Sequence, residues 1–316
     1  MGECFRIGFV TIFATRISTS QVLIIGNGFP GMRVTCPAQS SKDHIMLGYL
    51  RPALSLSLLI TYWSAVCCSD ENKSGPPVPV TQAHAHNDYL HERPLLEAIE
   101  NGFTSIEADV FPVEGELLVA HSVLEISKQK TLEGLYLRPL SELARKNSGS
   151  VYGDGRSVML LVDIKTNGKD AYDLLTKQLA SYADVVSHTE GDTFVEKAVT
   201  VVISGDRPIS DIAASNPRFA GIDGRLGDLD SDMPVSLLPL ISDNWGNHFK
   251  YRGKGEMADS EKAKLVEIVT KAHIKGRRLR FWATPESREL WQELRNAGVD
   301  FIGTDDLLKL SKFLRE

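Results

Sequence analysis

Cysteine is nearly absent from this chain, and its few positions limit the chemistry available. The 316 residues contain four cysteines, and the last of them is Cys68. The chain beyond Cys68 therefore has no disulfide framework, no thiolate metal site and no cysteine nucleophile.

An excess of positive charge is also lacking. The formal net charge is -6, with 35 Lys and Arg against 41 Asp and Glu, and no basic run stands out. A protein that mainly binds nucleic acid normally has a basic surface. We therefore predict no nucleic-acid partner. The remaining composition, 42% hydrophobic and 24% charged, is that of an ordinary globular protein.

Long hydrophobic runs are missing near the N-terminus, where a shorter one carries information. The apolar-rich segment 54–66 is too short to span a bilayer comfortably. It follows a short basic start at 46–51 and is followed by Cys67 and Cys68. That order is typical of a secretory signal, and a cysteine at this place is typical of bacterial lipoprotein processing. A single N-terminal membrane anchor is the alternative.

These features predict the domain organisation. We expect residues 1–45 to come from an over-long start, outside the mature protein, and 46–69 to be the export segment. Residues 70–79 are polar and Pro-rich, as in a linker. We expect one domain at 80–316, exported and then secreted, periplasmic or lipid-anchored at the cell envelope, with a possible membrane tether.

Short β-rich runs alternate with helical patterns through that domain, which is typical of a parallel sheet. Its length suits a single (β/α)8 TIM barrel. We predict strands at 80–84, 104–110, 158–164, 198–204, 219–223, 236–241, 279–283 and 301–303. We predict helices at 94–101, 140–146, 170–183, 260–274, 286–296 and 306–314, with short connections after residues 204 and 223.

Three carboxylates lie towards the carboxyl ends of two predicted strands. Glu107 and Asp109 are two residues apart and point to one face of a strand; Asp163 ends the next parallel strand. Buried carboxylates at a barrel mouth need a counter-charge. We predict that these three hold one divalent cation, Mg²⁺ or Ca²⁺. The alternative is a structural ion pair between Asp163 and Lys165.

Two histidines, His86 and His121, follow strand ends and suit proton transfer at neutral pH. We predict that they are the catalytic acid and base. His84 is either catalytic or a support for His86, and we place it with the substrate-binding residues.

Other polar and aromatic residues at strand ends complete the predicted site. Lys165 is expected to offset phosphate charge. Asn87 orients the phosphate or caps its loop. Arg225 has the fork geometry that suits phosphate. Trp282 forms an aromatic wall for the substrate or packs, and the same choice holds for Trp245.

These residues resemble the glycerophosphodiester phosphodiesterase and phosphatidylinositol phospholipase C-like superfamily, over about 82–310. The pattern is most similar to the branch that includes the altered inheritance of mitochondria protein 6 group. The motifs are His-Ala-His-Asn-Asp-Tyr at 84–89, Ser-Ile-Glu-Ala-Asp-Val at 105–110 and Leu-Tyr-Leu-Arg-Pro-Leu at 135–140, with similar stretches at 204–208, 223–226, 242–245 and 298–305.

The resemblance implies a phospholipase C-like phosphodiesterase barrel that binds one divalent cation. It implies catalysis by His86 and His121 and metal ligands at Glu107, Asp109 and Asp163. The Asp-Ile-Lys-Thr segment at 163–166 is closer to venom-type sphingomyelinase D. A glycerophosphodiester- or phospholipid-like substrate, a role in lipid metabolism and a cyclic phosphate product are the corresponding expectations.

The chain also departs from the superfamily pattern. His86 is followed by Asn87 and Asp88 where Arg-Gly is usual, and His121 is followed by Ser122 where Asp is usual. These departures concern the substrate more than the reaction type.

Two other functions remain open. A metal-dependent amidohydrolase also begins with His-x-His after the first barrel strand. It further requires histidines at the ends of the fifth and sixth strands, and none of the eight histidines is there. The second alternative is a non-catalytic exported barrel that binds a phosphorylated ligand.

Overall fold

The structure is a computed structural model that describes residues 3–7, 10–16, 22–25 and 77–316. The chain divides into two units, 1–69 and 70–316. The first unit contains an antiparallel sheet in the order β1-β2-β3. Its strands are β1 Glu3–Ile7, β2 Val10–Arg16 and β3 Val22–Ile25. The predicted start, export segment and linker fall partly or wholly outside the described residues and stay predictions.

Eight parallel strands of the second unit form a closed barrel, because the last strand pairs with the first. In chain order the barrel strands are β4 Val80–Ala85, β5 Phe103–Val113, β7 Val158–Ile164, β10 Val199–Gly205, β11 Ala220–Gly224, β12 Leu240–Asn244, β13 Arg278–Trp282 and β14 Phe301–Thr304. The predicted (β/α)8 barrel is confirmed.

Two additional hairpins decorate the barrel. Strand β6, Glu116–Val119, folds back antiparallel onto the long strand β5. Strands β8 His188–Glu190 and β9 Thr193–Val195 form a small separate sheet.

Helices surround the barrel. Their bounds are α1 Leu96–Glu100, α2 Arg138–Lys146, α3 Gly168–Ala180, α4 Ile209–Ala214, α5 Trp245–His248, α6 Asp259–Ile274, α7 Arg288–Ala297 and α8 Leu307–Arg315. Side chains cap the start of three of them: Asn244 accepts from the Gly246 amide in α5, Ser287 Oγ accepts from the Leu290 amide in α7, and Asp306 accepts from the Lys309 amide in α8. Among the described helices, none is both long and apolar enough to cross a membrane.

The barrel interior changes character along its axis. Alternate residues of each strand point inward. The lower layer is a buried apolar cluster of Met159, Leu161, Val202, Leu240 and Phe301. Above it, towards the carboxyl ends of the strands, the inward residues are polar or charged. This apolar floor separates the charged mouth from the other end of the barrel.

The sixth barrel strand differs from its prediction at 236–241. Strand β12 begins at Leu240, because the preceding residues form a turn in which Leu237 and Leu238 donate to the carbonyl of Pro234. Pro239 has no amide hydrogen to give to a sheet. Helix α4 was also missed, since the connection after residue 204 was predicted to be short.

Candidate active site

The three predicted carboxylates meet at the mouth of the barrel. Glu107 and Asp109 lie on β5, and Asp163 lies on β7 in register with Asp109. One oxygen of each lies within 4.8 Å of the others. The backbone of Gly205, at a φ of +71°, packs directly on Asp163, where a β-carbon would collide with Oδ1. The neighbouring strand thus closes one side of the triad.

Burial sets the electrostatics of two members of this triad. It raises the pKa of Asp109 to about 6 and raises the pKa of Asp163, while Lys165 opposes both shifts. Lys165 Nζ lies 2.7 Å from Asp109 Oδ2 and 3.1 Å from Asp163 Oδ2. The alternative predicted for Lys165, an ion pair with Asp163, is therefore present, and its role with a phosphate stays a prediction. Its ammonium group bridges two ligands of the predicted cation site.

Glu107 has a different environment. Burial alone would raise the pKa of Glu107, but the charge of Arg280 and the hydrogen bond of His84 hold it well below its ordinary value. Arg280 Nη1 lies 2.6 Å from Glu107 Oε2, and His84 Nε2 lies 2.9 Å from the same oxygen. One carboxylate oxygen is thereby fixed by two basic side chains.

His84 supports Glu107. Its side chain is 1% exposed, Nδ1 contacts Ser105 Oγ at 2.8 Å, and Nε2 contacts Glu107 and Arg280. Both ring nitrogens are thus engaged by protein groups, and the placement of His84 among the substrate-binding residues stays a prediction. His84 does not hold His86, because its partners lie on β5 and β13.

Arg280 was missed by the sequence reasoning. It lies on β13 with only 6% of its side chain exposed. A signal was available: within the predicted strand at 279–283, Arg280 is a charged residue between the apolar Leu279 and Phe281. A charge inside a buried strand requires a partner, and the inward-facing acids of β5 are the obvious candidates.

The triad fits a hard divalent cation. Its donors are all carboxylate oxygens, the ligands that Mg²⁺ and Ca²⁺ prefer. Asp109 Oδ1 is buried and has no hydrogen-bond partner, which leaves an acceptor available for an ion. Within the described residues, Glu107, Asp109 and Asp163 are the acidic and imidazole cluster that could hold one.

His121 is connected to the triad through Tyr89. The Tyr89 hydroxyl donates to Asp109 Oδ2 at 2.6 Å, and His121 Nδ1 lies 3.1 Å from the same hydroxyl. Because Tyr89 has one hydrogen and gives it to a carboxylate, its oxygen accepts from Nδ1–H of His121. The His121 side chain is 56% exposed, so Nε2 is left for chemistry. Asn87 Oδ1 lies 2.9 Å from the same hydroxyl. The backbone of Asn87 has the left-handed conformation.

His86 is held from the other edge of the barrel. Its Nδ1 lies 2.7 Å from Asp305 Oδ1, just beyond β14, and its side chain is 40% exposed. The carboxylate orients the ring with Nδ1–H towards it and leaves Nε2 free. His86 also lines a cavity of about 190 Å³ with Trp282, Glu286 and Asp305.

The remaining predicted residues lie around this mouth. Arg225 Nη1 pairs with Asp223 Oδ2 at 3.0 Å, and Asp223 is further fixed by Ser204 and Ser242. Trp282 is 37% exposed, so its ring is accessible to a substrate, as the predicted aromatic wall requires. Trp245, by contrast, is fully buried and stacks on Phe249, so packing is its role.

The sequence is similar to known proteins. The AIM6-like phosphodiesterase domain matches residues 75–220. The "Altered inheritance of mitochondria protein 6" of Eremothecium gossypii is 31% identical over 273 residues, which cover 75% of this chain and 70% of that relative. The chain belongs to the AIM6-like phosphodiesterase family.

Further similar proteins include one more relative and two solved structures. The AIM6 homolog of Arthroderma benhamiae is 28% identical over 275 residues, covering 76% of this chain and 84% of that protein. Among solved structures, a glycerophosphodiester phosphodiesterase from Parabacteroides distasonis has a TM-score of 0.46 and 16% identity, covering 75% of this chain and 98% of that one. A calcium-dependent phosphoinositol-specific phospholipase C from a Pseudomonas species has a TM-score of 0.42 and 11% identity, covering 75% and 93%.

Proposed function

We propose that this AIM6-like chain is a metal-dependent phosphoric diester hydrolase with His86 and His121 as general acid and base. The observation that carries the proposal is the matched state of the two imidazoles. Each is half exposed at the barrel mouth, each has Nδ1 engaged by a fixed partner, and each keeps Nε2 free. A pair of oriented imidazoles beside buried carboxylates is what a reaction with two proton transfers requires.

The proton transfers follow from these orientations. One Nε2 removes the proton of the attacking water or hydroxyl, and the other gives a proton to the leaving alcohol oxygen. A substrate with a neighbouring hydroxyl would yield a cyclic phosphate, because that hydroxyl replaces water as the nucleophile. Asp305 and the Tyr89–Asp109 pair stabilise the charged form of each ring during transfer.

Positive charge at the mouth supports the same reaction. A Mg²⁺ or Ca²⁺ ion held by Glu107, Asp109 and Asp163 would supply charge to the phosphate when bound. Lys165 and Arg225 add fixed charges nearby, at side-chain exposures of 26% and 33%. Fixed charges of this kind stabilise the developing anion.

The substrate we propose is a glycerophosphodiester or a phospholipid-like diester. The cavity beside His86, of about 190 Å³, has room for a small head group, and Trp282 at its edge offers an apolar face. Asn87 and Ser122 differ from the usual superfamily residues. We therefore expect the walls of this cavity to determine which alcohol the substrate carries.

The alternatives are less well supported. A zinc pair at His84 and His86 conflicts with the contact between His84 Nε2 and Arg280, because a cation cannot share that nitrogen with a guanidinium. A binding-only barrel has no use for two oriented imidazoles, and it predicts ligand binding without turnover.

The direct test is hydrolysis of bis-p-nitrophenyl phosphate by the full chain. The measurement is repeated after EDTA treatment, after restoring Mg²⁺ or Ca²⁺, and with the variant His121→Ala. Turnover that is lost with chelator, restored by the cation and absent in the variant supports the proposal. A panel of glycerophosphodiesters and phospholipids then identifies the alcohol. Turnover that is indifferent to both EDTA and His121→Ala would overturn it.

We further propose that the chain is exported through residues 46–69, with a possible lipid tether at Cys67 or Cys68. The order of basic start, apolar run and cysteines supports this. Fractionation of cells that express the wild type and a Cys67→Ser, Cys68→Ser double variant tests it. A lipid tether predicts that the double variant leaves the membrane fraction, and a cytosolic wild type contradicts export.

A further inference from the structure

A second cleft lies at the opposite end of the barrel from the catalytic mouth. It has a volume of about 210 Å³ and is formed by the first residues of β7, β10, β11 and β13 with the β8–β9 hairpin. Met159 belongs both to its wall and to the apolar floor of the interior. That floor separates the cleft from the carboxylate triad, so an occupant would not touch the catalytic residues.

Arg218 is the unusual residue of this cleft. Its Nη2 donates to Thr189 Oγ1 at 3.0 Å and to Ser236 Oγ at 3.1 Å, while its Nε is buried without a partner. Within the part of the chain that the structure describes, Arg218 forms no ion pair. Burial lowers the pKa of Arg218, and no carboxylate offsets that cost. A half-buried guanidinium without a counter-ion is energetically unfavourable.

The position of Arg218 is set by the backbone. Its amide donates to the Thr189 carbonyl at 2.9 Å, and the Thr189 amide donates back at 2.8 Å. Strand β8 is thus clamped to the residues just before β11. This reciprocal pair fixes the backbone of Arg218, and the bonds from its Nη2 to Thr189 and Ser236 hold the guanidinium at the cleft.

The hydroxyl groups around Arg218 are suited to an anion. Thr189 and Ser236 each accept a hydrogen bond from the arginine, so each keeps its own hydroxyl hydrogen to donate. The hydrogen bonds from the arginine polarise both hydroxyl groups, which makes each a better donor to an anion. One carboxylate, Glu196, lies on the rim, where it is exposed to solvent.

The rest of the wall is apolar. Phe219 and Pro239 line the cleft, and Phe194 and Val235 stand at its rim with 45% and 47% of their surfaces exposed. A purely inorganic anion would leave this apolar surface uncovered. The volume is below the roughly 300 Å³ at which pockets for drug-sized ligands begin, so the occupant is small.

We propose that this cleft is a second ligand site for a small organic anion, in which Arg218, Thr189 and Ser236 bind a carboxylate or phosphate group and the apolar wall covers its body. The site is independent of the proposed hydrolase activity. A carboxylate and a phosphate group would bind to the same three side chains. Titration with benzoate and with phenyl phosphate, described below, distinguishes the two.

The experiment is calorimetric titration of the full chain with benzoate, phenyl phosphate, inorganic phosphate and neutral benzamide. Benzoate or phenyl phosphate is expected to bind at least tenfold more tightly than inorganic phosphate, and benzamide is expected not to bind. Arg218→Gln should weaken binding at least tenfold and leave hydrolysis of bis-p-nitrophenyl phosphate unchanged. The matched control Arg145→Gln, at an exposed pair with Asp184, should leave binding unchanged.

Further variants keep the test decisive. Val235→Trp, at the exposed rim, should block the cleft and abolish binding even where Arg218→Gln fails to fold. Arg225→Gln, at the catalytic mouth, should leave benzoate binding intact. Absence of benzoate and phenyl phosphate binding to the wild type would overturn the proposal. A loss of binding in Arg225→Gln equal to that in Arg218→Gln would do the same, because it would locate the anion at the catalytic mouth.

Discussion

Arg280 and Glu107 form a buried ion pair across the barrel mouth, with 2.6 Å between Nη1 and Oε2. The pair joins β13 to β5, strands that are not neighbours in the sheet. Both side chains are at least 94% buried. Removing one partner of such a pair leaves an uncompensated buried charge.

We therefore expect Arg280→Met to lower the free energy of unfolding by about 3–5 kcal/mol, measured by urea denaturation without metal. The matched control is Arg278→Met, two residues earlier on the same strand but exposed, with an expected change of about 0.5 kcal/mol or less. Adding Glu107→Gln to Arg280→Met should recover part of the loss. Equal losses in the two single variants would contradict the role of the pair.

Variants of the two histidines that we propose as acid and base should separate turnover from cation binding. His86→Ala and His121→Ala are each expected to lower kcat by about 10²–10⁴-fold and to keep the affinity for Mg²⁺ or Ca²⁺, measured by calorimetry. Glu107→Gln should lose both. His273→Ala, at an exposed pair with Asp300 on the outside of the barrel, is the control. Modest, equal losses in all three site variants would remove the assigned roles.

Tyr89 is expected to act through His121. Tyr89→Phe removes the acceptor of the His121 Nδ1 hydrogen and the donor to Asp109. Loss of such an orienting contact typically costs about 10–100-fold. We expect the loss in kcat with little change in KM, and a displaced pH profile of kcat. An unchanged pH profile with a raised KM would instead make Tyr89 a substrate contact.

His84 should make the folded state sensitive to acid. Burial, with help from the Arg280 charge, lowers the pKa of His84 to about 4 from its ordinary 6.5. Between these values the unfolded chain binds a proton that the folded protein does not. The stabilising contribution is therefore complete above pH 6.5 and is lost as the pH falls towards 4.

The measurement is the free energy of unfolding in EDTA at several pH values. His84→Gln should flatten its pH dependence between 6.5 and 4, by on the order of 3 kcal/mol over that window. Burial raises the pKa of Asp109 to about 6, so the contribution of Asp109 to the free energy of unfolding changes with pH in the opposite direction. Asp109 is present in both the wild type and the His84→Gln variant. The difference between their two curves therefore reports on His84. Parallel curves would show that the pKa of His84 is not lowered in the folded protein.

Much of the barrel could be predicted from sequence because its strands are buried on both faces. Continuous β-rich runs such as 158–164 have one interpretation, and strand β7 has those bounds. The run at 236–241 was misplaced because apolar residues also fill a buried turn there, and proline at 239 is the signal against a strand.

The site was predictable where its residues are close in sequence. Glu107 and Asp109 share a face by strand period, and Asp163 is in register on the next strand. The partners that hold them come from distant elements: Arg280 from β13 and Asp305 from beyond β14. Such pairings depend on how the barrel closes, which local patterns do not specify. For this reason Arg280 was missed.

Barrel closure also has a consequence for the timing of activity during synthesis. The His86 amide donates to the Thr304 carbonyl, and the His86 ring to Asp305, across a sequence separation of 219 residues. The strand that begins the barrel thus acquires its histidine partner only from the strand that ends it. A nascent chain, or one truncated before residue 301, would carry the carboxylate ligands and His121 while His86 remained unoriented. The proposed pair of oriented histidines would therefore be complete only when residues 301–305 are in place.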